Sequence, residues 1–453
     1  MPQDGGLRPE TARAVDAVVA RTQARGRVPS LVAAVVRGGG VAHLAAAGAP
    51  VGRSHQFRIG SITKTMTAAM VMQLRDAGQL GLDDPLQTYL PGTPIGDVTV
   101  RQLLGHVSGL RREPPGQWWE RSEGPSVAAL LDAVGGATLA GPRQRRHHYS
   151  NLAYGLLGLV VTRVTGQEWA DRFAQTLRRP LGLHRTTYLP EEPFVRGYVV
   201  HPWHGTLREE PRHDSRAMAP AGQLWSTLPD LARWAAFLAE PDPAVLAPAT
   251  VAEMCLPVTI HDPERWTTGQ GLGLALWRSG ERVYVGHTGS MPGYLAVLAV
   301  HRGSGTGVVG FANAYTLHGT GMAAFGARLL DEVLDREPAP PARWRPAPAP
   351  PADVAPLLGP WWWMGREYLA AWDAETEELV LANRTEGVTS PGRFARFGPD
   401  RWRGVAGADE GEVLEVRRGP GGAVVALEIA TFVYTRDPDA AAAAAHAGDG
   451  TTT

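Results

Sequence analysis

The 453-residue sequence has little of what commits a chain to an oxidising compartment, a membrane or nucleic acid. Its single cysteine, Cys255, excludes a disulfide within the chain and fits a reducing compartment. The longest apolar stretch, 152–161, is too short and too interrupted by glycine to span a bilayer. The formal net charge is −1 and basic runs are short, so neither nucleic acid nor an anionic membrane is expected as a partner.

A secretory signal is also missing from the start of the sequence. The segment MPQDGGLRPE has no basic start and no apolar core, and an amphipathic pattern follows it directly. The sequence therefore predicts a soluble, cytoplasmic protein.

Lysine is the scarcest charged residue. Lysine and arginine together number 44, and only Lys64 is lysine. It stands three residues after a serine, in Ser61-Ile62-Thr63-Lys64. Arginine keeps its proton near neutral pH, whereas a buried lysine can lose it, so a base made from a cationic side chain has to be lysine. The spacing predicts a serine nucleophile activated by Lys64. A stray lysine in an arginine-biased chain is the alternative.

Hydrophobic patterns predict one α/β domain whose sheet joins the two ends of residues 1–336. Near the start, two β-rich runs around Gly38-Gly39-Gly40 predict a hairpin, and Ser61 opens a predicted helix with Lys64 on the same face. Near the end, glycine turns separate three predicted antiparallel strands, which a helix follows; these elements cover 282–285, 294–300, 307–311 and 322–334.

A second, smaller domain is predicted after a proline- and alanine-rich linker. The linker covers 337–353 and is expected to be extended and semi-rigid. Short alternating runs separated by glycine and aspartate turns fill 354–437 and predict an all-β barrel or sandwich. The low-complexity tail, 438–453, is expected to be disordered.

Two further motifs carry chemistry that suits a serine nucleophile. In Tyr149-Ser150-Asn151, the phenol can pass a proton and the amide can hold a substrate carbonyl. In His287-Thr288-Gly289, between two predicted strands, glycine lets a substrate backbone lie against the strand while the other two side chains contact a carboxylate or a tetrahedral intermediate. Each motif alone is weak, because turns and packed tyrosines give the same letters.

In this order, the three motifs resemble those of the serine β-lactamase and penicillin-binding protein superfamily, in its class C and DD-peptidase-like branch. Four supporting segments are similar too: Phe57–Gly60, Leu82–Leu86, Leu103–Leu110 and Ala221–Ser226. The resemblance covers about residues 10 to 335 and implies a β-lactamase/transpeptidase-like antiparallel sheet flanked by helices.

The resemblance also implies roles for individual residues. Ser61 would be the acylated nucleophile, Lys64 its base and Tyr149 a second acid/base, with Asn151 as a substrate-amide contact. The backbone N–H groups of Ser61 and Ser290 would form the oxyanion hole. His287 stands where most β-lactamases have lysine. A histidine at this position resembles DD-peptidases and D-aminopeptidases, so efficient antibiotic hydrolysis is not expected. Thr288 and Gly289 would contact substrate.

No metal or cofactor is expected. His201, His204 and His213 lack the helical spacing of a metal pair and lie in a proline- and arginine-rich loop. His147 and His148 are candidates for the pocket rim, with exposed loop histidines as the alternative. The triplet Trp361–Trp363 is interpreted as core and barrel-end packing.

The whole plan is most similar to the penicillin-binding-protein-type thioesterases, stand-alone cyclases of nonribosomal peptides that carry a C-terminal lipocalin-like domain. That resemblance implies a peptidyl thioester substrate ending in a D-residue or glycine, presented on a carrier-protein phosphopantetheine. The peptide's own amine would then displace the serine. Arg436, at the end of the last predicted strand, is a candidate to face the catalytic pocket, and an ordinary exposed arginine is the alternative.

Two other functions stay open. A cytoplasmic serine esterase, D-aminopeptidase or DD-carboxypeptidase-like hydrolase of the same fold would complete turnover with water or an alcohol. A non-catalytic binding protein on this scaffold is the second alternative, against which the intact Ser61, Lys64 and Tyr149 argue.

Overall fold

The computed structural model describes residues 6–135, 139–315, 317–338, 346–387 and 390–439. The chain divides into two compact units, Met1–Pro340 and Pro341–Thr453, here named the N-terminal and C-terminal units. The predicted linker falls partly on 339–345, and the predicted tail on 440–453, both outside the described residues. Within the described part, no helix combines the length and the apolar character needed to cross a membrane.

Among the described residues, the α-helices all belong to the N-terminal unit. They are α1 (Pro9–Gly26), α2 (Thr63–Asp76), α3 (Val100–Leu104), α4 (Val127–Ala133), α5 (Asn151–Thr165), α6 (Trp169–Phe173), α7 (Ala219–Gly222), α8 (Leu228–Ala239), α9 (Pro248–Met254) and α10 (Met322–Arg336).

An eight-stranded antiparallel sheet forms the framework of this unit, in the order β2-β1-β12-β11-β10-β9-β8-β7. Two short pairs, β3-β6 and β4-β5, lie outside it. The strands are β1 (Ser30–Arg37), β2 (Gly40–Gly48), β3 (Phe57–Arg58), β4 (Tyr198–Val200), β5 (Leu207–Glu209), β6 (Trp225–Ser226), β7 (Thr259–Ile260), β8 (Thr268–Gln270), β9 (Ala275–Ser279), β10 (Arg282–Met291), β11 (Tyr294–His301) and β12 (Thr306–Ala312).

The sheet joins the two ends of the unit, as the sequence predicted. Strand β1 pairs with β2 in the predicted hairpin and with β12 on its other side. Strands β10, β11 and β12 and helix α10 confirm the predicted C-terminal elements. One placement was wrong: His287–Gly289 lies inside β10 and not between strands. The strand continues to Met291, which pairs with Tyr294 across the turn Pro292-Gly293.

Helix α2 is the buried central helix of the unit. Every residue from Thr63 to Met72 is buried, and the helix packs against α5 and α7. Its polar residues are matched: the Trp234 indole N–H donates to Thr65 Oγ1 at 2.9 Å, and the Trp169 indole N–H donates to Thr67 Oγ1 at 3.2 Å. Because each unmatched buried partner would cost about 1–3 kcal/mol, these bonds fix the rotation of α2 about its axis.

The C-terminal unit is a closed eight-stranded barrel of antiparallel neighbours, which confirms the predicted all-β domain. Along Glu378–Asn383 every second residue is buried, so one face of this strand fills the interior. The strands are β13 (Gly359–Trp363), β14 (Arg366–Asp373), β15 (Glu378–Asn383), β16 (Gly392–Gly398), β17 (Arg401–Ala406), β18 (Val413–Arg418), β19 (Val424–Ile429) and β20 (Phe432–Thr435). Trp361 is fully buried and its indole N–H donates to the Leu357 carbonyl, whereas Trp362 and Trp363 are half-buried.

Candidate active site

Ser61 and Lys64 lie at the start of the buried helix α2. Ser61 belongs to a short 3₁₀ turn, Gly60–Ile62, that runs directly into α2. The Nζ of Lys64 lies 3.0 Å from the Oγ of Ser61. Ser61 is half-buried and Lys64 is fully buried, so the hydroxyl is reachable while its neighbour is shielded from water.

Lys64 Nζ makes two further contacts, both to oxygen acceptors. It donates to Asn151 Oδ1 at 2.7 Å and to the carbonyl of Ala221 at 2.6 Å. Burial lowers the pKa of Lys64 to about 7, against a partial opposing effect of Glu120 and Glu113. A large share of the side chain is therefore a neutral amine near pH 7, which is what a general base needs.

The segment Tyr149-Ser150-Asn151 forms the N-terminus of α5. Ser150 is the N-cap, since its Oγ accepts from the Ala153 N–H at 3.1 Å. The Ser150 N–H donates to His106 Nδ1 at 3.1 Å, and the Asn151 N–H donates to the carbonyl of Arg112 at 2.7 Å. Tyr149 and Asn151 therefore flank a capping residue that is fixed in place. Hydrogen bonds to His106 and Arg112 hold this segment against residues 106–112.

Tyr149 faces the same serine. Lys64 Nζ lies 5.0 Å from the centre of its ring, and the Ser61 hydroxyl is near enough to act on the pKa of the phenol. Burial raises the pKa of Tyr149 well above its ordinary value, an effect that the neighbouring Ser61 hydroxyl only partly opposes. Because the phenol keeps its proton near neutral pH, it suits proton donation and relay, and the task of base falls to Lys64.

Two glycines let strand β10 approach the serine turn. A Cβ on Gly289 would lie 1.9 Å from the Ile59 carbonyl oxygen, and one on Gly60, whose φ is +51°, would lie 2.6 Å from the Ser290 nitrogen. Ser290 stands opposite Leu295, one pair from the two-residue turn. Alternation of antiparallel pairs points its N–H away from β11, and Gly60 approaches this nitrogen. This geometry supports the predicted oxyanion hole of Ser61 and Ser290.

His287 is buried beside the site in a neutral form. Burial, followed by the charge of Lys64, lowers the pKa of His287 to about 4. Its Nδ1–H donates to the Thr288 carbonyl at 2.5 Å, which leaves Nε2 unprotonated. His287 therefore adds no positive charge near pH 7, unlike a lysine at the same position.

Sequence reasoning missed two carboxylates that act on Lys64. Glu113 accepts from the Asn151 side-chain amide at 2.7 Å, and Glu120 accepts from the Trp118 indole at 3.2 Å. Burial, and then the charge of Glu113, raises the pKa of Glu120. Both follow the segment that resembles the superfamily, but no spacing rule marks an isolated glutamate in a loop as part of a site.

The structure places Arg436 in the C-terminal barrel. Its guanidinium donates to the carbonyls of Pro356, Leu358 and Pro360 at 2.7, 2.8 and 2.7 Å, and it lies 3.8 Å from the centre of the Trp361 ring. These contacts give Arg436 a role within the barrel, while its role toward a substrate stays a prediction. Among the described residues, no group of three or more histidine, cysteine, aspartate or glutamate side chains could hold a metal ion.

The arrangement has the parts of an acyl-transfer site. Ser61 Oγ can attack a carbonyl while Lys64 takes its proton, and Tyr149 can return a proton to the departing group. The N–H groups of Ser61 and Ser290 stay the predicted donors to the attacked oxygen. Each sequence-predicted site residue except Arg436 belongs to the N-terminal unit and lies on α2, α5, β10 or the turns that lead into them.

Comparisons with known proteins agree with this geometry. A family model described as Beta-lactamase matches residues 15–332, and one described as a domain of unknown function, DUF7586, matches residues 350–436. Penicillin-binding protein 4 of Amycolatopsis lactamdurans is 31% identical over 331 residues, covering 67% of this chain and 83% of the relative.

Two solved structures are similar at the level of the fold and the sequence. A D-stereospecific amidohydrolase from Streptomyces sp. has a TM-score of 0.63 at 25% identity and covers 72% of this chain and 99% of its own. SurE has a TM-score of 0.58 at 26% identity and covers 94% of this chain and 99% of its own. SurE has also been solved with D-Leu.

Proposed function

The chain belongs to the β-lactamase family, and from this premise we propose that it is a serine acyltransferase that releases a nonribosomal peptide from its thioester by macrocyclisation. The observation that carries the proposal is the pairing of a β-lactamase-like unit with a closed eight-stranded barrel. The similarity to SurE extends over both units, since it covers 94% of this chain. Penicillin-binding-protein-type thioesterases, which the sequence resembles, have the same pairing.

In the proposed first step, Ser61 Oγ attacks the thioester carbonyl and its proton passes to Lys64. The carbon–sulfur bond breaks, and the departing thiolate takes a proton to leave as a free thiol, the phosphopantetheine of a carrier protein. The peptide is then an ester on Ser61. The neutral state of Lys64 near pH 7 supports this step, because an ammonium could not accept the proton.

In the second step, the N-terminal amine of the peptide attacks the ester carbonyl. An amide bond forms, the bond to Ser61 Oγ breaks, and the serine regains a proton while the amine loses one. The product is a cyclic peptide, and no water is consumed. The structure of SurE with D-Leu and the D-stereospecificity of the amidohydrolase support a D-residue at the acylating end. A cytoplasmic location stays a prediction from the sequence.

Hydrolysis of D-configured esters or amides is the second candidate. The amidohydrolase match favours it, because that relative is aligned over 99% of its own length. The catalytic residues would act in the same way, with water in place of the peptide amine. The two candidates differ in the acyl donor, a thioester or an ester or amide, and in the nucleophile that resolves the acyl-enzyme.

Peptidyl thioesters with a free N-terminus and a terminal D-residue test the proposal, with Ser61→Ala as the control. Products are read by mass spectrometry. Ser61-dependent loss of the thiol without gain of water supports macrocyclisation. Linear, water-added product from several sequences would establish a hydrolase instead, and failure of any acylating reagent to modify Ser61 would favour a binding protein.

A further inference from the structure

The side-chain amide of Asn151 is held at both ends. Its Oδ1 accepts from Lys64 Nζ at 2.7 Å, and its Nδ2 donates to Glu113 Oε1 at 2.7 Å. An ionised carboxylate can only accept hydrogen bonds, so it can be faced only by the NH₂ end of the amide. The carbonyl end must then face Lys64. Glu113 thus decides which way the side-chain amide of Asn151 is turned.

Glu113 suits this position because it offers two acceptor oxygens. Its second oxygen, Oε2, accepts from the indole N–H of the buried Trp119 at 2.8 Å. Arg112 Nε lies 3.3 Å from Oε1. A glutamine of the same length would offer one oxygen to the two donors, Asn151 and Trp119, and would turn its own NH₂ toward one of them.

The orientation of Asn151 decides where the lone pair of Lys64 points. A neutral amine has two N–H bonds and one lone pair. Asn151 Oδ1 and the Ala221 carbonyl, at 2.7 and 2.6 Å, accept the two N–H bonds. The third neighbour is Ser61 Oγ at 3.0 Å, which then donates its proton to the lone pair. A flipped Asn151 would put its NH₂ against Lys64 and remove one of the two acceptors.

We propose that Glu113 is a positioning residue for acyl transfer: through Asn151 it aims the lone pair of Lys64 at the hydroxyl of Ser61. The inference rests on the acylation of Ser61 that the proposed function requires. It holds whether an amine or water resolves the acyl-enzyme.

Glu120 provides a matched control. Both glutamates raise the pKa of Lys64, with Glu120 having the larger effect. The hydrogen bond from the Asn151 amide goes to Glu113, whereas Glu120 is bonded to Trp118. Glu113→Gln and Glu120→Gln therefore remove the same charge near Lys64, but only the first removes the constraint on Asn151.

The first measurement is the pKa of Lys64 in each variant. Since Lys64 is the one lysine of the sequence, selective ¹³C,¹⁵N-lysine labelling gives a single side-chain signal to titrate by NMR. If each glutamate acts on Lys64 only through its charge, the pKa of Lys64 should fall no further in Glu113→Gln than in Glu120→Gln, because Glu120 has the larger effect. Positioning makes it larger in Glu113→Gln, because a donor then replaces an acceptor beside the ammonium. A decrease that is equal or smaller in Glu113→Gln overturns the proposal.

The second measurement is the rate of Ser61 acylation by p-nitrophenyl acetate at a pH above the Lys64 titration, read by intact mass. We expect Glu113→Gln to acylate about 10- to 100-fold more slowly than Glu120→Gln, because both variants lose a charge near Lys64 and only Glu113→Gln also releases Asn151. Adding Trp119→Phe to Glu113→Gln removes the competing donor and should restore most of the rate, with Trp119→Phe alone as its control. Equal rates in the two glutamine variants would contradict positioning. A wild type that neither this ester nor any peptidyl thioester acylates at Ser61 would refute the proposed function, and the NMR comparison would still decide how Glu113 acts on Lys64.

Discussion

The Nζ of Lys64 lies 3.0 Å from the Oγ of Ser61, within one turn of the same buried helical segment. Helix α2 is buried along its whole first half, so the two side chains keep this relationship without support from a bound substrate. Their chemistry then depends on whether Lys64 carries a proton.

Lys64→Arg should abolish acylation of Ser61 although the charge is kept. Arginine cannot lose its proton near neutral pH, so the hydroxyl would have no base, and a loss of about 10²- to 10⁴-fold is expected. The measurement is the intact mass of the protein after exposure to p-nitrophenyl acetate. Lys64→Met, which removes the charge, should be equally inactive, and thermal melts check that both variants fold. Acylation of Lys64→Arg at the wild-type rate would refute the role of base.

The rate of acylation should rise with pH through about 7, the pKa to which burial lowers Lys64. Only the neutral amine accepts the serine proton, so activity is low on the acidic side and levels off above the titration. NMR titration of the single lysine should give the same midpoint. The same pKa shift makes the stability of the fold depend on pH. The unfolded lysine titrates at about 10.5, so burying its charge lowers the free energy of unfolding below pH 7, and this loss disappears as the pH rises from about 7 to about 10.5. A lysine midpoint near 10 would contradict both expectations.

The geometry within each catalytic motif could be predicted from the sequence because it depends on local spacing. Ser61 and Lys64 are three residues apart where a 3₁₀ turn runs into α2, and Ser150 is the N-cap that positions Tyr149 and Asn151. The hairpin and the closing helix follow from patterns of the same kind.

What could not be predicted depends on contacts between distant segments. Glu113 meets Asn151 across 38 positions of sequence, and the Ala221 carbonyl meets Lys64 across 157. No periodicity marks a single loop glutamate or a backbone carbonyl. The placement of His287–Gly289 was wrong for a related reason: pairing with β11 extends β10 past Gly286, and a short glycine-containing run looks like a turn when its partner strand is unknown.

Gly289→Ala should disturb the site and the fold together. The added Cβ would lie 1.9 Å from the Ile59 carbonyl oxygen, so the serine turn and β10 would have to separate. We expect a loss of about 1–3 kcal/mol in the free energy of unfolding and a strong fall in Ser61 acylation. Urea unfolding and the intact-mass assay measure the two effects. Gly40→Ala is the matched control, since a Cβ at Gly40 meets nothing within 4 Å; similar behaviour of the two variants would count against the close approach.

The role of Arg436 can be decided by separating stability from turnover. Arg436→Gln leaves the carbonyls of Pro356, Leu358 and Pro360 without their donor and removes the cation from the face of Trp361. A role within the barrel predicts faster amide hydrogen exchange in β13 and β20 of the full chain, with a local loss of about 1–3 kcal/mol.

Arg384→Gln, at an exposed arginine of the same barrel, is the control and should leave exchange unchanged. If Arg436→Gln instead preserves protection in β13 and β20 but loses turnover of peptidyl thioesters, the side chain serves the substrate. Because three carbonyls accept from one guanidinium, the contacts within the barrel explain an arginine at this position without any ligand. We therefore expect Arg436→Gln to speed amide hydrogen exchange in β13 and β20.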